Sequence, residues 1–361
     1  MKNRILRLFL AVALTLITTA SAFATGLPAG KRVVVDQLGR KVLIPQKVER
    51  VVCLMHHALD ITLELQAGDR LVGIMKNWEG LLFPGIADIY PPIRKLPQVG
   101  TLTEVNMEEL LKTNPDLVIV THYFPQDTLK KIEAAGIPVV AVSLYQAGVE
   151  EASKLNPKLK NPDRAYTIGM RIGVGLLGEI YGREREAKRL NEFVAEKRAI
   201  IGDKLSAIPE NQKITCYMAN PDLYTYGSGK YVGVIMDRAG GINVAREISG
   251  FKAVNMEQIL EWDPQVIFVQ DRYAQKVVPE ITEGAAWAPI RAVKEHRVYV
   301  TPEYVKPWGH PCPESMALGE LWMAKKLYPE HFKDVDIDKT VQEFYKTFYG
   351  IPSVSYTHLR A

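Results

Sequence analysis

The chain has 361 residues, of which 47% are hydrophobic and 24% are charged, and its formal net charge is +4. This length accommodates two domains with substantial cores, and the composition is ordinary for a globular protein. Three basic residues lie in the first 24 positions, so that without this segment the net charge falls to about +1. A nearly neutral chain lacks the basic surface that nucleic acids or anionic membranes require, and we expect neither as a partner.

The N-terminal segment has the features of a secretory signal. Basic residues come first, an uncharged apolar run covers positions 8–20, and the small-residue sequence AFA occupies 22–24. The apolar run is too short to span a bilayer, and no lipid-acceptor cysteine follows it, since the first cysteine is Cys53. We therefore predict that residues 1–24 are cleaved and that the mature protein is a soluble periplasmic monomer. At the other end, residues 353–361 break the helical pattern, and we interpret them as a non-native tail.

Strands and short helices alternate in the first part of the mature chain. RVVVDQLGRKVLIP predicts a hairpin, and RVVCLM, RLVGIM, DLVIV and IPVVAVSL predict buried strands with helices between them. This alternation is typical of a mostly parallel sheet that helices cover on both faces. We predict a first α/β lobe at residues 25–163.

Two long helical patterns connect this lobe to a second one. The first follows the possible capping residue Asp163, and the second covers residues 184–207. At 1.5 Å per residue the second helix spans roughly 36 Å, which is long enough to bridge two domains. Further alternating strands and helices in residues 209–352 predict the second lobe. The predicted fold class is α/β, with two Rossmann-like lobes of mostly parallel sheets joined by a single long helix within the connector 164–208.

One sixteen-residue sequence occurs twice. VNMEELLKTNPDLVIV at 105–120 recurs as VNMEQILEWDPQVIFV at 254–269. Each copy predicts an asparagine-capped helix with a capping box, a stop before proline and a buried strand. The glutamates at the fourth position, Glu108 and Glu257, are not needed for the capping box, although both also suit the positive end of a helix dipole. The repeat indicates that the two lobes have similar structures.

These features together resemble a known family. An exported chain with paired lobes, a long connecting helix and NMEELLKTNPDLVIV is similar to the periplasmic binding proteins that serve ABC importers of iron complexes, haem and cobalamin. The likeness covers nearly all of residues 32–350, including VERVVCLMHHALDITLELQAGDRLVGI, MDRAGGINVA and RVYVTP. The resemblance implies a ligand in the cleft between lobes, no enzymatic activity and no intrinsic cofactor. It also implies that Glu108 and Glu257 dock onto arginines of the membrane permease.

The cleft residues can be predicted from the strands, because ligands of open parallel sheets bind beyond the carboxyl ends of the strands. Aromatic faces suit a chelate or macrocycle, while arginine and histidine pair with anionic oxygen or coordinate a metal, for which His122 and His310 are candidates. Because neighbours on a strand point in opposite directions, we expect only one of His56 and His57 to face the cleft. The predicted cleft residues are His56, His57, Asn77, Trp78, His122, Tyr123, Tyr145, Asn220, Tyr224, Tyr226, Arg272, Tyr273, Tyr304, Trp308 and His310.

Several cargoes are compatible with these residue types. The leading hypothesis is a receptor for an iron complex, namely a siderophore, haem or a related metal chelate. The same receptor class could instead carry cobalamin, a molybdate-like oxyanion or a nickel chelate, which Arg272 and the histidines permit. An exported metalloenzyme that uses His56 or His57 with His122 and His310 is a further alternative, but it leaves the repeat and the paired glutamates unexplained. YGSGKY at 226–231 departs from a phosphate-binding loop at both ends, so we assign it no phosphate site.

Overall fold

The computed structural model describes residues 28–82 and 85–351. The predicted signal at 1–24 and the predicted tail at 353–361 lie outside these ranges. The strands are β1 (Lys31–Val35), β2 (Lys41–Pro45), β3 (Val51–Cys53), β4 (Leu71–Met75), β5 (Gln98–Gly100), β6 (Leu117–Thr121), β7 (Val139–Val142), β8 (Ile214–Ala219), β9 (Tyr224–Tyr226), β10 (Gly241–Asn243), β11 (Phe251–Ala253), β12 (Val266–Gln270) and β13 (Val298–Thr301).

The helices vary from single turns to more than five turns. They are α1 (His56–Glu64), α2 (Trp78–Leu81), α3 (Ile86–Ile89), α4 (Met107–Lys112), α5 (Gln126–Ala134), α6 (Val149–Ala152), α7 (Pro162–Tyr181), α8 (Glu184–Leu205), α9 (Tyr231–Arg238), α10 (Met256–Trp262), α11 (Ala274–Glu283), α12 (Arg291–Lys294), α13 (Glu320–Leu327) and α14 (Ile337–Phe344). None of the helices in the described ranges has the length and apolar character needed to cross a membrane.

Two parallel sheets organise the molecule. The first has the strand order β5–β4–β3–β6–β7, and the second has the order β10–β8–β12–β13. Every residue of β3, β6, β7 and β12 is buried, as expected for strands covered on both faces. Two antiparallel ribbons, β1–β2 and β9–β11, accompany the sheets. The prediction of two α/β units with parallel sheets is confirmed.

Helix α7 makes the main connection between the two units. It packs against β1 and α1 on one side and against α9 on the other, whereas α8 packs along α7 and α13. We had expected α8 to form the bridge. The cap of α7 also differs from the prediction, because the side chain of Asn161, and not Asp163, accepts the hydrogen bond from the Arg164 amide at 3.0 Å.

The core is continuous between the two sheets. One large cluster of buried apolar side chains includes Val52 and Ile119 of the first sheet, Val174 of α7 and Phe268 of the second sheet. A close approach at Gly169 allows this packing, because a Cβ atom there would lie only 2.1 Å from the Tyr145 backbone. The residue boundaries 25–163, 164–208 and 209–352 stay a prediction. The three cysteines, Cys53, Cys216 and Cys312, are buried and unbonded.

Candidate ligand-binding site

The site lies where the strand order reverses in both sheets. In the first sheet β3 has β4 on one side and β6 on the other, and in the second sheet β8 lies between β10 and β12. Successive connections leave such a point in opposite directions and open a crevice beyond the strand ends. The segments after β3, β6 and β12 carry His56, His57, His122 and Arg272, so the sheet topology brings these residue types to one region.

Both His56 and His57 face the site. Strand β3 ends at Cys53, and the two histidines form the first turn of α1, so the alternation expected of a strand does not apply. Their ring centroids lie 5.6 and 5.3 Å from that of Trp308. The expectation that only one of them faces the cleft was wrong, because it extended the strand too far.

His310 lies at the centre of an aromatic cluster that joins the two units. Its ring centroid is 5.6 Å from His57, 5.1 Å from His122 and 5.9 Å from Tyr145, with which it stacks at an interplanar angle of 16°. These are distances of direct ring contact. In this conformation the rings from the two units therefore leave no slab-shaped space for a macrocycle between them.

The imidazoles in this cluster carry buried nitrogen atoms without hydrogen-bond partners. Both ring nitrogens of His57 and His310 are in this state, as are Nδ1 of His56 and Nδ1 of His122, whose Nε2 lies 3.1 Å from the Lys154 carbonyl. Buried polar groups are normally paired, so an unpaired group in a native fold calls for an explanation. Several such nitrogens in one aromatic cluster make this region a candidate site for a ligand with polar atoms.

Burial keeps these histidines neutral. Desolvation, with a smaller contribution from Arg272, lowers the pKa of His56 to about 3, and desolvation lowers the pKa of His122 to about 4. Desolvation also places the pKa values of His57 and His310 well below the ordinary value. A neutral imidazole has one N–H donor and one acceptor nitrogen, so His56, His57 and His310 can each donate one hydrogen bond to an oxyanion, whereas the N–H of His122 is donated to the Lys154 carbonyl.

Two permanent cations flank the imidazoles. The Arg272 guanidinium donates to the Gly80 carbonyl at 3.2 Å and lies 5.9 Å from the Trp308 ring. Lys230 Nζ donates to the Leu155 carbonyl at 3.1 Å, and its charge lowers the pKa values of His122 and His310. Both cations belong to the second unit and bond carbonyls of the first unit. The site therefore combines two basic side chains with neutral donors, and the partly buried carboxyl of Asp271 lies beside Arg272.

Sequence reasoning missed Lys230 and Tyr166. Lys230 directly precedes α9 within YGSGKY, a segment that we had set aside because it departs from a phosphate-binding loop. The glycine-rich turn before a helix was a usable signal. Tyr166 of α7 packs at 6.3 Å from the His310 ring and donates from its hydroxyl to the Gly229 carbonyl at 3.3 Å. Nothing in the sequence distinguishes it from the other buried residues of α7.

The other predicted residues have varied positions. Tyr123 and Tyr145 contact the His122 ring, but the Tyr145 hydroxyl lies within 3.0 Å of three backbone carbonyls and donates its proton among them. Tyr226 is near Arg272, while Tyr224 is 40% exposed and packs on Phe251 of the β9–β11 ribbon. Of the remaining predicted residues, Trp78 is buried, Asn77 has a left-handed backbone conformation and Tyr273 is half-buried. The Asn220 side chain makes hydrogen bonds to neighbouring residues, and Tyr304 packs in the apolar core.

The histidines do not converge on a metal position. Within the described ranges, three or more possible metal-ligand atoms lie within 4.8 Å of one another only at Asp60, Glu64 and Glu314. That group excludes His122 and His310, our candidates for metal ligands.

Comparisons with known proteins agree with this architecture. The periplasmic binding protein family matches residues 51–305. The molybdate-binding protein MolA of Haemophilus influenzae is 44% identical over 319 residues, which are 88% of this chain and 91% of that protein. Its molybdate-bound structure superimposes with a TM-score of 0.85 and covers 89% of this chain and 98% of that one; it is the cognate binding protein of an ABC transporter.

More distant relatives share the fold. A solute-binding protein from Veillonella parvula has a TM-score of 0.73 at 24% identity and covers 91% of this chain and 95% of that chain. The haem uptake protein IsdE of Staphylococcus aureus is 24% identical over 71% of this chain and 75% of its own length. The predicted resemblance is confirmed, as is the prediction of a substrate-binding protein without enzymatic activity. The chain belongs to the periplasmic binding protein family.

Proposed function

We propose that this protein is the substrate-binding component of an ABC importer and that its cargo is a small tetrahedral oxyanion of the molybdate class. The observation that carries the proposal is the set of buried imidazole nitrogens without partners beside Arg272 and Lys230. A molybdate ion has two negative charges and four oxygen acceptors, which match two cations and several neutral N–H donors.

The packing of the site also supports a small cargo. Ring centroids of the two units are 5.1–5.9 Å apart around His310. A haem, a corrinoid or a bulky ferric siderophore would have to separate these rings. The similarity to a molybdate-binding relative at 44% identity points in the same direction. We therefore rank the oxyanion, one of our alternatives from the sequence, above the iron complex that we had favoured.

A binding experiment with several ligands tests the cargo. We expect titration calorimetry of the purified protein to show binding of molybdate and of tungstate, which has nearly the same size and charge. Sulfate and phosphate are smaller and should bind more weakly, since specificity is a difference of affinities. Haemin and ferric siderophores, followed by their absorption bands, should not bind. A bound iron chromophore without molybdate binding would reject the oxyanion.

Docking to the permease forms a second part of the proposal. Glu108 on α4 and Glu257 on α10 are exposed, and each is followed three residues later by an exposed leucine, Leu111 or Leu260. Exposed ion pairs contribute only about 0–1 kcal/mol each, so these contacts would set orientation more than affinity. We expect the double variant Glu108→Ala/Glu257→Ala to lose uptake and to retain ligand binding. If ligand binding is lost instead, the glutamates have another role.

A further inference from the structure

A buried ionic cluster lies directly behind the ligand site. It comprises Asp60 and Glu64 of α1, Lys306 and Glu314 of the second unit, and Tyr345 and Tyr349 near the C-terminus. Lys306 Nζ is 2.7 Å from Asp60 Oδ2 and also contacts Glu314 Oε2. The Tyr349 hydroxyl donates to Asp60 Oδ1 at 2.9 Å. This cluster therefore joins the first unit, the second unit and the C-terminal helices.

The two ends of the cluster also carry ligand-site residues. His56 and His57 form the first turn of α1, and Asp60 lies one turn further on the same helix. On the other side, Lys306 and Glu314 bracket the segment that holds Trp308 and His310. The backbone amide of Trp308 donates to the Lys306 carbonyl at 2.7 Å, and Lys306 Nζ lies 5.5 Å from the Trp308 ring. Lys306 thus contacts the segment through both its backbone and its side chain.

The backbone of Lys306 makes a turn that leads into the segment with Trp308 and His310, and the contacts of the Lys306 side chain stabilise this turn. Lys306 has a left-handed conformation with φ of 40° and ψ of 62°, which is unfavourable for a residue with a Cβ atom. Such a conformation persists only where the surrounding contacts over-determine it. Although burial alone opposes the charge, Asp60 and Glu314 raise the pKa of Lys306 above its ordinary value. The ammonium is therefore charged and held by its carboxylate partners.

We propose that the Lys306–Asp60 ion pair is a positioning element that holds Trp308 and His310 of the second unit against His56 and His57 of the first. As a proposal about ligand affinity it rests on the proposed oxyanion site. Removing the ammonium should release the turn at Lys306 and separate rings that now lie 5.3–5.6 Å apart. Small displacements of preorganised hydrogen-bond donors remove much of the binding free energy that these donors contribute.

The test compares two variants that each lose a buried cation. Lys306→Met removes the cation behind the site, and Arg198→Met removes the cation that pairs with the buried Glu320 at 2.8 Å between α8 and α13. Both should lower the melting temperature. Only Lys306→Met should weaken molybdate affinity, by about tenfold or more, because misplaced groups in a preorganised site lose most of their binding energy. Equal effects of the two variants on affinity would overturn the proposal.

A second variant separates positioning from the burial of an unpaired charge. Asp60→Asn/Lys306→Met removes both members of the pair and should recover stability relative to Lys306→Met. Under the proposal the molybdate affinity stays low, because the ion pair that holds the turn at Lys306 is still missing. Recovery of affinity together with stability would overturn it. Should Lys306→Met fail to fold, this double variant and Asp60→Asn are compared with Arg198→Met instead.

A ligand-free measurement distinguishes failure of this inference from failure of the proposed function. Nitrogen-15 NMR of the free protein reports the imidazole resonances of His57 and His310 and the indole resonance of Trp308. These resonances should shift in the Lys306 variants and stay in place in Arg198→Met. If wild-type protein binds no oxyanion, the cargo proposal fails while the NMR result still decides the positioning role. Unchanged resonances in the Lys306 variants would reject it.

Discussion

The two copies of the repeat form the same helix–strand unit but end in different chemistry. Helix α4 leads into β6, which is followed by His122 and Tyr123, and α10 leads into β12, which is followed by Asp271, Arg272 and Tyr273. The buried strands are equivalent, whereas the residues beyond their ends are a neutral imidazole in one copy and a guanidinium in the other. A duplicated scaffold therefore positions different side chains beyond its two equivalent strands, and the two basic candidates, Lys230 and Arg272, both come from the second unit.

The helices of the two copies differ in the same way. In α10 Asn255 and Gln258 form a complete capping box, with bonds of 2.8 and 3.2 Å. In α4 the Glu109 amide bonds Asn106, but the Glu109 carboxylate accepts from Lys112 at 2.8 Å. The Asn106 amide instead donates to Val99. The predicted capping box is thus confirmed in the second copy and wrong in the first, because a lysine competes for the carboxylate.

The largest effect is expected where the two copies differ beyond their strands. Arg272→Gln should weaken molybdate binding about 100-fold, because hydrogen bonds from a charged group contribute roughly twice as much as neutral ones. His122→Gln should weaken it about tenfold or less, because the N–H of His122 is already donated to the Lys154 carbonyl. Titration calorimetry measures both affinities. Arg246→Gln is the matched control, since this arginine of the second unit is 64% exposed and pairs only weakly with Glu247 at 3.6 Å. Equal losses for Arg272→Gln and His122→Gln would contradict the asymmetry.

The pH dependence of binding should come from the imidazoles of the site and not from Arg272. Burial lowers the pKa values of His56 to about 3 and His122 to about 4, so both are neutral in the free protein near neutral pH. A bound dianion favours imidazolium, so binding should take up protons, and affinity should rise by a few-fold from about pH 8 to about pH 5.5. Calorimetry in two buffers of different ionisation enthalpy measures the uptake. Arg272→Gln should retain this rise in affinity at low pH, and His56→Gln/His122→Gln should make the rise smaller.

The free protein should behave in the opposite way. A histidine whose folded pKa is below 6.5 contributes its full stability above pH 6.5, and this contribution is lost as the pH falls toward the folded pKa. Thermal unfolding of the free protein should therefore show a loss from His56 and His122 between pH 6.5 and about pH 4. Saturating molybdate should reduce that loss. A melting temperature that falls equally with and without ligand would argue against anion contact with these rings.

The repeat also shows what sequence can and cannot predict. Buried runs such as DLVIV and QVIFV gave the parallel strands, and the strand-end rule gave His122, Arg272 and, from the loop, His310. The exact end of β3 was not predictable, so the strand alternation that we applied to His56 and His57 did not hold. Lys230, Tyr166 and the Lys306–Asp60 pair depend on contacts between residues separated by many positions, such as the 2.7 Å ion pair. Periodicity carries no information about such contacts.

The two glutamates that we propose dock onto the permease offer a smaller test of the same comparison. Glu108 already pairs with Lys112 at 2.8 Å, whereas the residue four positions after Glu257 is Glu261. Glu257→Gln should therefore weaken binding to the permease more than Glu108→Gln, each by a few-fold, in keeping with exposed ion pairs of about 0–1 kcal/mol. Surface plasmon resonance on the reconstituted permease measures both. Lys112→Met should reduce the contrast, because it frees Glu108 to contact the permease. Unchanged permease binding in Glu257→Gln would contradict the prediction.

The smallest expected effect concerns the caps. Gln258→Ala removes the reciprocal bond to the Asn255 amide and should lower the free energy of unfolding by about 0.5 kcal/mol, the lower end for a single hydrogen bond. Glu109→Ala removes only an exposed ion pair with Lys112 and should cost about 0.2 kcal/mol. Replicate urea denaturation distinguishes the two losses in the free energy of unfolding when this free energy depends equally on the urea concentration in both variants. Both helices begin at the same position of the repeat. The difference between the two losses in the free energy of unfolding therefore measures the contribution of the reciprocal cap hydrogen bond. A larger loss for Glu109→Ala would instead mean that its carboxylate stabilises the α4 N-terminus directly.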